Sequence, residues 1–237
     1  MTCLLDDKYA PITSSIGFLR LGLDEARDAL ASWRRSLSPK VEVKAFDEGF
    51  PEVLCRLEPL TAAARPRELL VEASDGWTAY FDCFLDGTDA VSAIGFLAEE
   101  VGCQGLAITC VPHTPEASGR PPRYGSVQFE LFGAEKTEFL NYVRAVAAAY
   151  DGDHWEFVAS GEVQPFEETD AYGARLIKDR FTPEMLERYC RAMGLEVFDP
   201  DAYGPRAILV ESQVAMPPNA PVMSLADAQR RFGISPG

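Results

Sequence analysis

Positively charged residues are scarce in this sequence. Its 237 residues include 22 Lys and Arg against 37 Asp and Glu, which gives a net charge of −15 with neutral histidine. Nucleic acids and anionic membrane surfaces attract proteins through Lys and Arg side chains. We therefore expect neither nucleic acid nor a membrane as a partner. This charge is compatible with a basic protein partner, and it also serves solubility alone, which is the commoner reason for it.

Long apolar runs are also missing. The longest mostly apolar stretch, Ala90 to Ala98, is too short to cross a bilayer. Asp6 and Asp7 stand where the apolar core of a signal peptide would lie. The six cysteines are scattered and form no Cys-x-x-Cys pair, which is typical of buried thiols in a reducing compartment. The sequence therefore predicts a cytoplasmic protein.

The motifs of several common enzyme classes are absent. The chain has no GxGxxG, no GxxxxGKS/T and no GxSxG, so nothing indicates a dinucleotide, a P-loop phosphate site or a nucleophile elbow. His113 and His154 are the two histidines, and they lie far apart without the spacing of metal ligands. The sequence predicts neither a metal nor a cofactor.

One short segment resembles a known catalytic motif. The letters FLDGT at 84–88 follow an apolar run and resemble the Asp-x-Asp-Gly-Thr motif of haloacid-dehalogenase-like phosphotransferases. In that family the first aspartate is the nucleophile and a magnesium ligand, but this chain has Phe84 at that position. We predict a turn here instead, followed by a helix that Thr88 or Asp89 caps.

Helices are predicted in five places. Apolar residues at helical spacing indicate helices over 23–37, with Trp33 and Leu37 on the buried face, and over 90–101, with Gly102 after its end. Thr182 and Pro183 begin another helix that Gly194 stops. The stretches 170–180 and 224–232 also read as helical.

Most of the remaining apolar runs predict strands. They lie at 16–21, 41–46, 53–57, 69–73, 77–84, 106–111, 124–132, 195–198 and 206–210. The stretch 141–150 is ambiguous, because its three consecutive alanines favour a helix whereas the following Asp151-Gly152 favours a hairpin. We favour a strand near Tyr150, and we expect 41–46 to be half buried because it alternates with period two.

The order of these elements predicts the fold class. Runs of strands separated by few helices are typical of an α+β protein with a mainly antiparallel sheet and a few packing helices. We expect residues 1–212 to form a single α+β domain. Residues 213–237 then form a proline-rich linker and a short C-terminal helix.

The most unusual feature is an acidic segment at 151–170. It contains seven acids and no Lys or Arg, and it includes aromatic residues and a histidine. It is typical of a docking surface for a basic protein, of a carboxylate pair for acid–base chemistry, of a Ca²⁺ or Mg²⁺ site, or of an ordinary solvated hairpin. For docking, the candidate residues are Asp151, Asp153, His154, Trp155, Glu156, Glu167, Glu168 and Asp170.

A long loop offers an alternative site. Residues 112–123 contain four prolines together with His113, Arg120 and Arg123. Such a loop can cover a pocket or hold an anionic ligand. An ordinary surface loop without a binding role can have the same composition.

Two functional hypotheses follow. The first is a non-catalytic binding protein, in the manner of an immunity or antitoxin-like inhibitor, whose acidic surface blocks a basic partner. The second is a small-molecule enzyme with carboxylate and histidine acid–base chemistry in a pocket near 112–123. Acids spread over an exposed face favour the first, and a histidine and an acid converging in a concave site favour the second.

Overall fold

The computed structural model describes residues 3–117, 120–137 and 140–234. Within them, nine strands form one antiparallel sheet and two short strands pair separately, which confirms the predicted α+β class. The strands are β1 (Ser15–Leu19), β2 (Val41–Phe46), β3 (Leu60–Thr61), β4 (Arg67–Ala73), β5 (Thr78–Asp82), β6 (Gly105–Val111), β7 (Ser126–Phe132), β8 (Tyr142–Tyr150), β9 (Trp155–Gly161), β10 (Tyr203–Ser212) and β11 (Val222–Met223). The helices are α1 (Leu23–Leu37), α2 (Ala90–Val101), α3 (Pro183–Ala192) and α4 (Leu225–Arg231).

The sheet has the strand order β2-β10-β4-β5-β1-β6-β7-β8-β9. Its second half, β6 to β9, is a meander in which each strand pairs with the next one along the chain. The ambiguous stretch 141–150 is therefore a strand, because it lies between β7 and β9 and forms backbone hydrogen bonds with both. The hairpin that joins β8 to β9 carries the first part of the acidic segment to one end of the sheet.

Helices cover one face of the sheet unequally. α1 packs on β10 and β4, and α2 packs on β1, β6 and β7. The part of this face formed by β8 and β9 is less covered, so Ala145, Ala147 and Ala149 are only half buried there. The opposite face carries the larger core, to which α3 and the C-terminal segment contribute.

The ends of the helices follow their sequence signals. The Asp89 carboxylate accepts a hydrogen bond from the Ser92 amide at 3.3 Å, and Gly102 ends α2 with φ +69°. Thr88 instead donates its hydroxyl to the Ile12 carbonyl at 3.0 Å. Thr182 caps α3 by accepting from the Met185 amide. On α1, Leu23, Ala26 and Leu30 are buried as expected.

Several local predictions are wrong. Leu37 is 67% exposed and Trp33 is only half buried against the smaller core, because the fully buried residues of α1 end at Ala31. β2 is an edge strand whose middle is exposed on both faces. Residues 53–57 belong to a 3₁₀ helix, Glu52–Leu57. Its apolar residues Val53, Leu54 and Leu57 fit one face of a helical turn.

Two further segments differ from expectation. The predicted strand at 195–198 does not form. Leu195 and Val197 are buried in the core, but they pair with no described strand. The stretch 170–180 contains two short 3₁₀ turns, Thr169–Gly173 and Ile177–Asp179, instead of one helix. Extended backbone at Ala174 separates them.

The C-terminal segment packs on the main body of the protein. β11 pairs with β3, and Leu225 and Ala228 of α4 lie in the larger core. The Gln229 side-chain amide donates to the Lys8 carbonyl at 2.9 Å. The segment therefore shares its apolar contacts and its hydrogen bonds with the rest of the chain.

Candidate functional site

The β8–β9 hairpin ends in a tight acidic turn. The Asp151 amide donates to the His154 carbonyl at 3.1 Å, and one Asp151 carboxylate oxygen accepts from the amides of Asp153 and His154, both at 2.8 Å. These hydrogen bonds hold the pKa of Asp151 below its usual value. Gly152 occupies the turn with φ +109°, a conformation that glycine adopts readily.

Three acidic side chains surround His154 on this turn. Its Nδ1 lies 3.2 Å from Asp151 Oδ2 and 3.7 Å from Asp153 Oδ2, and its Nε2 lies 3.4 Å from Glu156 Oε1. The His154 side chain is 60% exposed and that of Asp153 is 99% exposed. The acids and the imidazole thus converge on an exposed tip instead of inside a cavity.

Asp151, His154 and Glu156 are also the residues that could hold a cation. One ligand atom from each lies within 4.8 Å of the others, and all three residues are exposed. Calcium takes about six to eight oxygen ligands, and one oxygen of Asp151 already accepts two backbone hydrogen bonds. The arrangement is explained by the turn itself and does not require an ion.

An aromatic cluster lies beside the acidic turn. The Tyr150 ring is 4.7 Å from His113, 5.8 Å from Trp155 and 5.8 Å from Tyr124, between ring centroids. His113 Nδ1 accepts from the Gly125 amide, and a Cβ at Gly125 would come within 2.5 Å of His113. The missing side chain therefore lets His113 and Trp155, 5.4 Å apart, come together. Tyr124 is 51% exposed.

We call this combined surface the tip surface. It combines part of the acidic segment with part of the 112–123 loop. These two segments were predicted from the sequence as separate candidate sites. Aromatic side chains flanked by exposed carboxylates are suited to packing on Arg and Lys side chains. The tip surface consists of His113, Tyr124, Tyr150, Asp151, Asp153, His154, Trp155 and Glu156.

Glu167 does not lie on this surface. Its side chain is fully buried, and it accepts hydrogen bonds from Arg144 at 2.8 and 2.6 Å, from the Gln164 amide at 2.8 Å and from Tyr172 at 2.7 Å. Burial raises the pKa of Glu167, but these hydrogen bonds lower it further, so the net shift is downward. Glu167 is therefore a structural anion that neutralises Arg144.

Glu168 and Asp170 are exposed, and they follow Glu167 in the chain. Glu168 forms a bidentate ion pair with Arg188, at 2.6 and 2.9 Å. Arg144 pairs with Gly161 at the other end of the hairpin, whereas Tyr150 pairs with Trp155 at the tip. Six strand residues span about 20 Å, and the Glu167 side chain is hydrogen-bonded at the Arg144 end. The acidic segment therefore forms two separate groups.

The 112–123 loop borders a cleft of about 460 Å³, but its histidine does not line that cleft. Arg120 and Arg123 line it together with Asp6 and Asp7. Arg123 is nearly buried and pairs with Asp7 at 2.5 and 3.1 Å. Because His113 belongs to the tip surface, this cleft does not combine a histidine with an acid as the enzyme hypothesis requires.

A second cleft, of about 620 Å³, lies on the less covered face of the sheet, and the sequence reasoning missed it. Glu130 of β7 is half buried in it, accepts from the Tyr142 hydroxyl at 3.3 Å, and has its pKa raised by burial. The available signal was a glutamate alternating with the apolar residues of a strand. The lining residues are Glu130, Thr137, Tyr142, Val143, Ala145, Ser160, Gly161 and Glu162.

Two further acids, Glu68 and Asp82, are fully buried in the sheet. Glu68 accepts from Arg34 at 2.5 and 2.6 Å and from the Tyr80 hydroxyl at 2.7 Å. Asp82 accepts from the Phe84 amide at 2.8 Å and the Asp89 amide at 3.1 Å. Burial and the nearby Glu68 raise the pKa of Asp82 to about 7 despite these hydrogen bonds. Both carboxylates have no exposed surface.

No known family model, curated protein or solved structure matches this chain. Among the described residues, no helix is both long and apolar enough to cross a membrane.

Proposed function

We propose that this protein is a non-catalytic binding module that docks a basic partner protein on its tip surface. The observation that carries the proposal is the exposed combination of Asp151, Asp153 and Glu156 with the neighbouring rings of Tyr124 and Trp155. The carboxylates attract a positively charged surface, and the rings provide apolar area to pack against.

The charge of the surrounding chain supports this choice of partner. Residues 145–174 contain no Lys or Arg, and the ion-pair contacts of Asp151, Asp153 and Glu156 within the described residues are with His154. Two histidine–acid contacts on the tip, at 3.2 and 3.4 Å, are exposed to solvent. General acid–base catalysis needs a positioned group within reach of a bound substrate, and these groups face open solvent.

The compartment and the effect on the partner are parts of the same proposal. Six free cysteines, four of them buried, support a reducing compartment such as the cytoplasm. If the covered surface of the partner includes its active site, docking inhibits the partner, as immunity and antitoxin-like proteins do.

Site-specific photocrosslinking tests the proposal. A benzoylphenylalanine at Tyr124, 51% exposed on the tip surface, should capture a protein with a basic isoelectric point from the source cells. The same probe at Leu37, 67% exposed at the end of α1, is the matched control and should not. Capture should weaken when ionic strength is raised, because exposed charges are screened within about 10 Å at 0.1 M salt.

A variant with Asp151→Asn, Asp153→Asn and Glu156→Gln removes the charge but keeps oxygen acceptors in the turn. We expect it to lose most of the Tyr124 crosslink while its thermal unfolding stays close to that of the unmodified protein. Equal crosslinking from Tyr124 and Leu37, or a product unchanged in the triple variant, would contradict docking at the tip surface.

A further inference from the structure

β9 leaves its outer backbone edge open. It is the last strand of the sheet order and pairs with β8 alone among the described strands. The Asp151 amide bonds to the His154 carbonyl, and the Glu162 amide bonds to the Val143 carbonyl. Antiparallel ladders alternate, so the amides and carbonyls of Phe157 and Ala159 point away from β8. Within the described chain these groups form no hydrogen bond.

The short turn Ile177–Asp179 packs against β9, but the strand itself lacks the residues that usually protect an edge strand. Proteins block such edges with Lys, Pro or inward charges, and β9 reads WEFVASG, with no Lys or Pro. Val158 is 53% exposed in its middle, and Ala159 and Ser160 are exposed beside it. The opposite edge strand, β2, carries both Glu42 and Lys44.

Acidic side chains lie at both ends of the open edge. Glu156 is the second residue of β9 and lies at the tip surface, and Glu162 follows the last residue of the strand. Glu130 lies in the 620 Å³ cleft that Ser160, Gly161 and Glu162 also line. A net charge of −15 makes pairing with a second copy of this chain unfavourable. An extended segment with basic side chains complements both the edge and its flanking charges.

We propose that the partner binds by strand addition: an extended basic segment pairs with the outer edge of β9. Its alternate side chains reach Glu156 at one end and the cleft of Glu130 and Glu162 at the other. Glu156 to Glu162 spans about 20 Å, so a segment of about seven residues fits. The inference rests on the proposed function, because the same basic partner meets the tip surface and this edge.

The test uses two fluorescein-labelled octapeptides that alternate lysine with threonine, one with ordinary backbone amides, called the lysine–threonine peptide, and one in which every backbone amide is N-methylated. Both carry the same charge, but the second has no backbone N–H to donate and cannot form a ladder. Fluorescence anisotropy with the full chain should show at least about tenfold tighter binding of the lysine–threonine peptide, since several backbone hydrogen bonds are at stake.

Two substitutions at one position examine the edge directly. Ala159→Pro removes an outward amide and leaves the bonds to β8 in place, so it should weaken the lysine–threonine peptide about tenfold. Ala159→Val keeps the amide and should change the affinity less than about twofold. If Ala159→Pro does not fold, as judged by circular dichroism, the two peptides on the unmodified chain still decide the question. The double variant Glu130→Gln with Glu162→Gln should weaken binding of the lysine–threonine peptide and reduce the salt dependence of that binding.

The outcomes separate this inference from the proposed function. Equal binding of both peptides, or binding that Ala159→Pro leaves unchanged, overturns strand addition; docking by charge survives if Asp151→Asn with Asp153→Asn weakens that binding. Binding lost in Ala159→Pro but unaffected by the tip substitutions supports strand addition and removes the tip surface from the interaction. Failure of both peptides to bind, or a dimer in sedimentation that Ala159→Pro dissociates, overturns the inference.

Discussion

Buried ionisable side chains in this protein differ in how they are compensated. The Glu167 carboxylate receives two hydrogen bonds from Arg144 and one from Tyr172, so its charge is fully partnered. Asp82 accepts two backbone amides, and its nearest guanidinium atom, Arg65 Nε, lies 3.5 Å away. Glu167 is therefore held in its ionised form, whereas the raised pKa of Asp82 favours its protonated, neutral form. The contributions of the two acids to stability therefore depend differently on pH.

We predict that removing Arg144 is much more costly than removing an exposed partner. Arg144→Met leaves the buried Glu167 without its cation, which should lower the free energy of unfolding by about 3–5 kcal/mol. Arg188→Met breaks the exposed pair with Glu168 and should cost less than about 1 kcal/mol. Urea unfolding at neutral pH measures both values. Similar losses in the two variants would show that burial of the Arg144 pair contributes little.

We predict that Asp82 makes the protein lose stability as pH rises. Its folded pKa of about 7 lies above the ordinary 3.8, so the folded state holds a proton that the unfolded chain releases. This contribution is complete below about pH 4 and is lost as pH rises through 7. Between pH 5.5 and pH 8 it should fall by about 2 kcal/mol.

Asp82→Asn should abolish that fall, because the amide has no proton to release in this range. Asp86→Asn, at an exposed neighbouring position, should retain the dependence of the unmodified chain. Urea unfolding at the two pH values measures the difference. If Asp82→Asn and the unmodified chain lose stability in parallel, the buried carboxyl is already ionised at pH 5.5.

Secondary structure elements were predictable where local signals decide them. The helix at 23–37 has the same bounds in the structure because dipole-matched charges and apolar spacing agree there. The prediction of a strand at 53–57 was wrong, because a buried 3₁₀ turn and a short buried strand have similar apolar runs in the sequence. The sequence also could not tell that β2 lies at a sheet edge, since strand order depends on pairing between distant segments.

The candidate site was predictable in part for the same reason. The acids of the hairpin turn were visible in the sequence, and their exposure follows from the turn. Glu167 was misplaced because its partner, Arg144, lies 23 residues away and meets it only in the folded sheet. The contact between the rings of His113 and Trp155 depends on the pairing of β7, β8 and β9, which no local sequence pattern predicts.

We predict that the end of β9 depends on a single glycine. Gly161 has φ +85°, and a Cβ there would collide with the Val143 carbonyl oxygen. Gly161→Ala should therefore lower the free energy of unfolding by about 2 kcal/mol or more. Gly173→Ala, where no atom lies within 4 Å of the added Cβ, is the matched control and should change it by less than about 1 kcal/mol. Equal effects would mean that Gly161 tolerates a side chain.

At the scale of the whole molecule, the C-terminal segment behaves as part of the core. Leu225, Ala228 and Ile234 are buried, and β11 pairs with β3. Shared burial of this kind couples a segment to the cooperative unfolding of the body. The proline-rich stretch before it therefore connects two parts of one packed structure.

We predict that a chain ending at residue 216 is less stable by about 3–5 kcal/mol, because it exposes the apolar surface that Leu225 and Ile234 cover. Thermal unfolding should show one transition in both chains, at a lower temperature in the shorter one. Arg231→Ala at the exposed end of α4 is the control and should leave the midpoint nearly unchanged. An unchanged midpoint in the shortened chain would mean that the segment folds separately.

The two edge strands of the sheet, β2 and β9, differ in their charged residues. Lys44 of the outer strand β2 forms ion pairs with Glu42 of the same strand and with Glu211 of β10. The mixed charges of Glu42 and Lys44 on this edge resist addition of another strand. A polymer held together by strand edges needs two open edges on every molecule, and the described residues offer one. If a basic segment adds to β9 as proposed, we expect association to stop after that step and to give complexes of fixed composition instead of filaments.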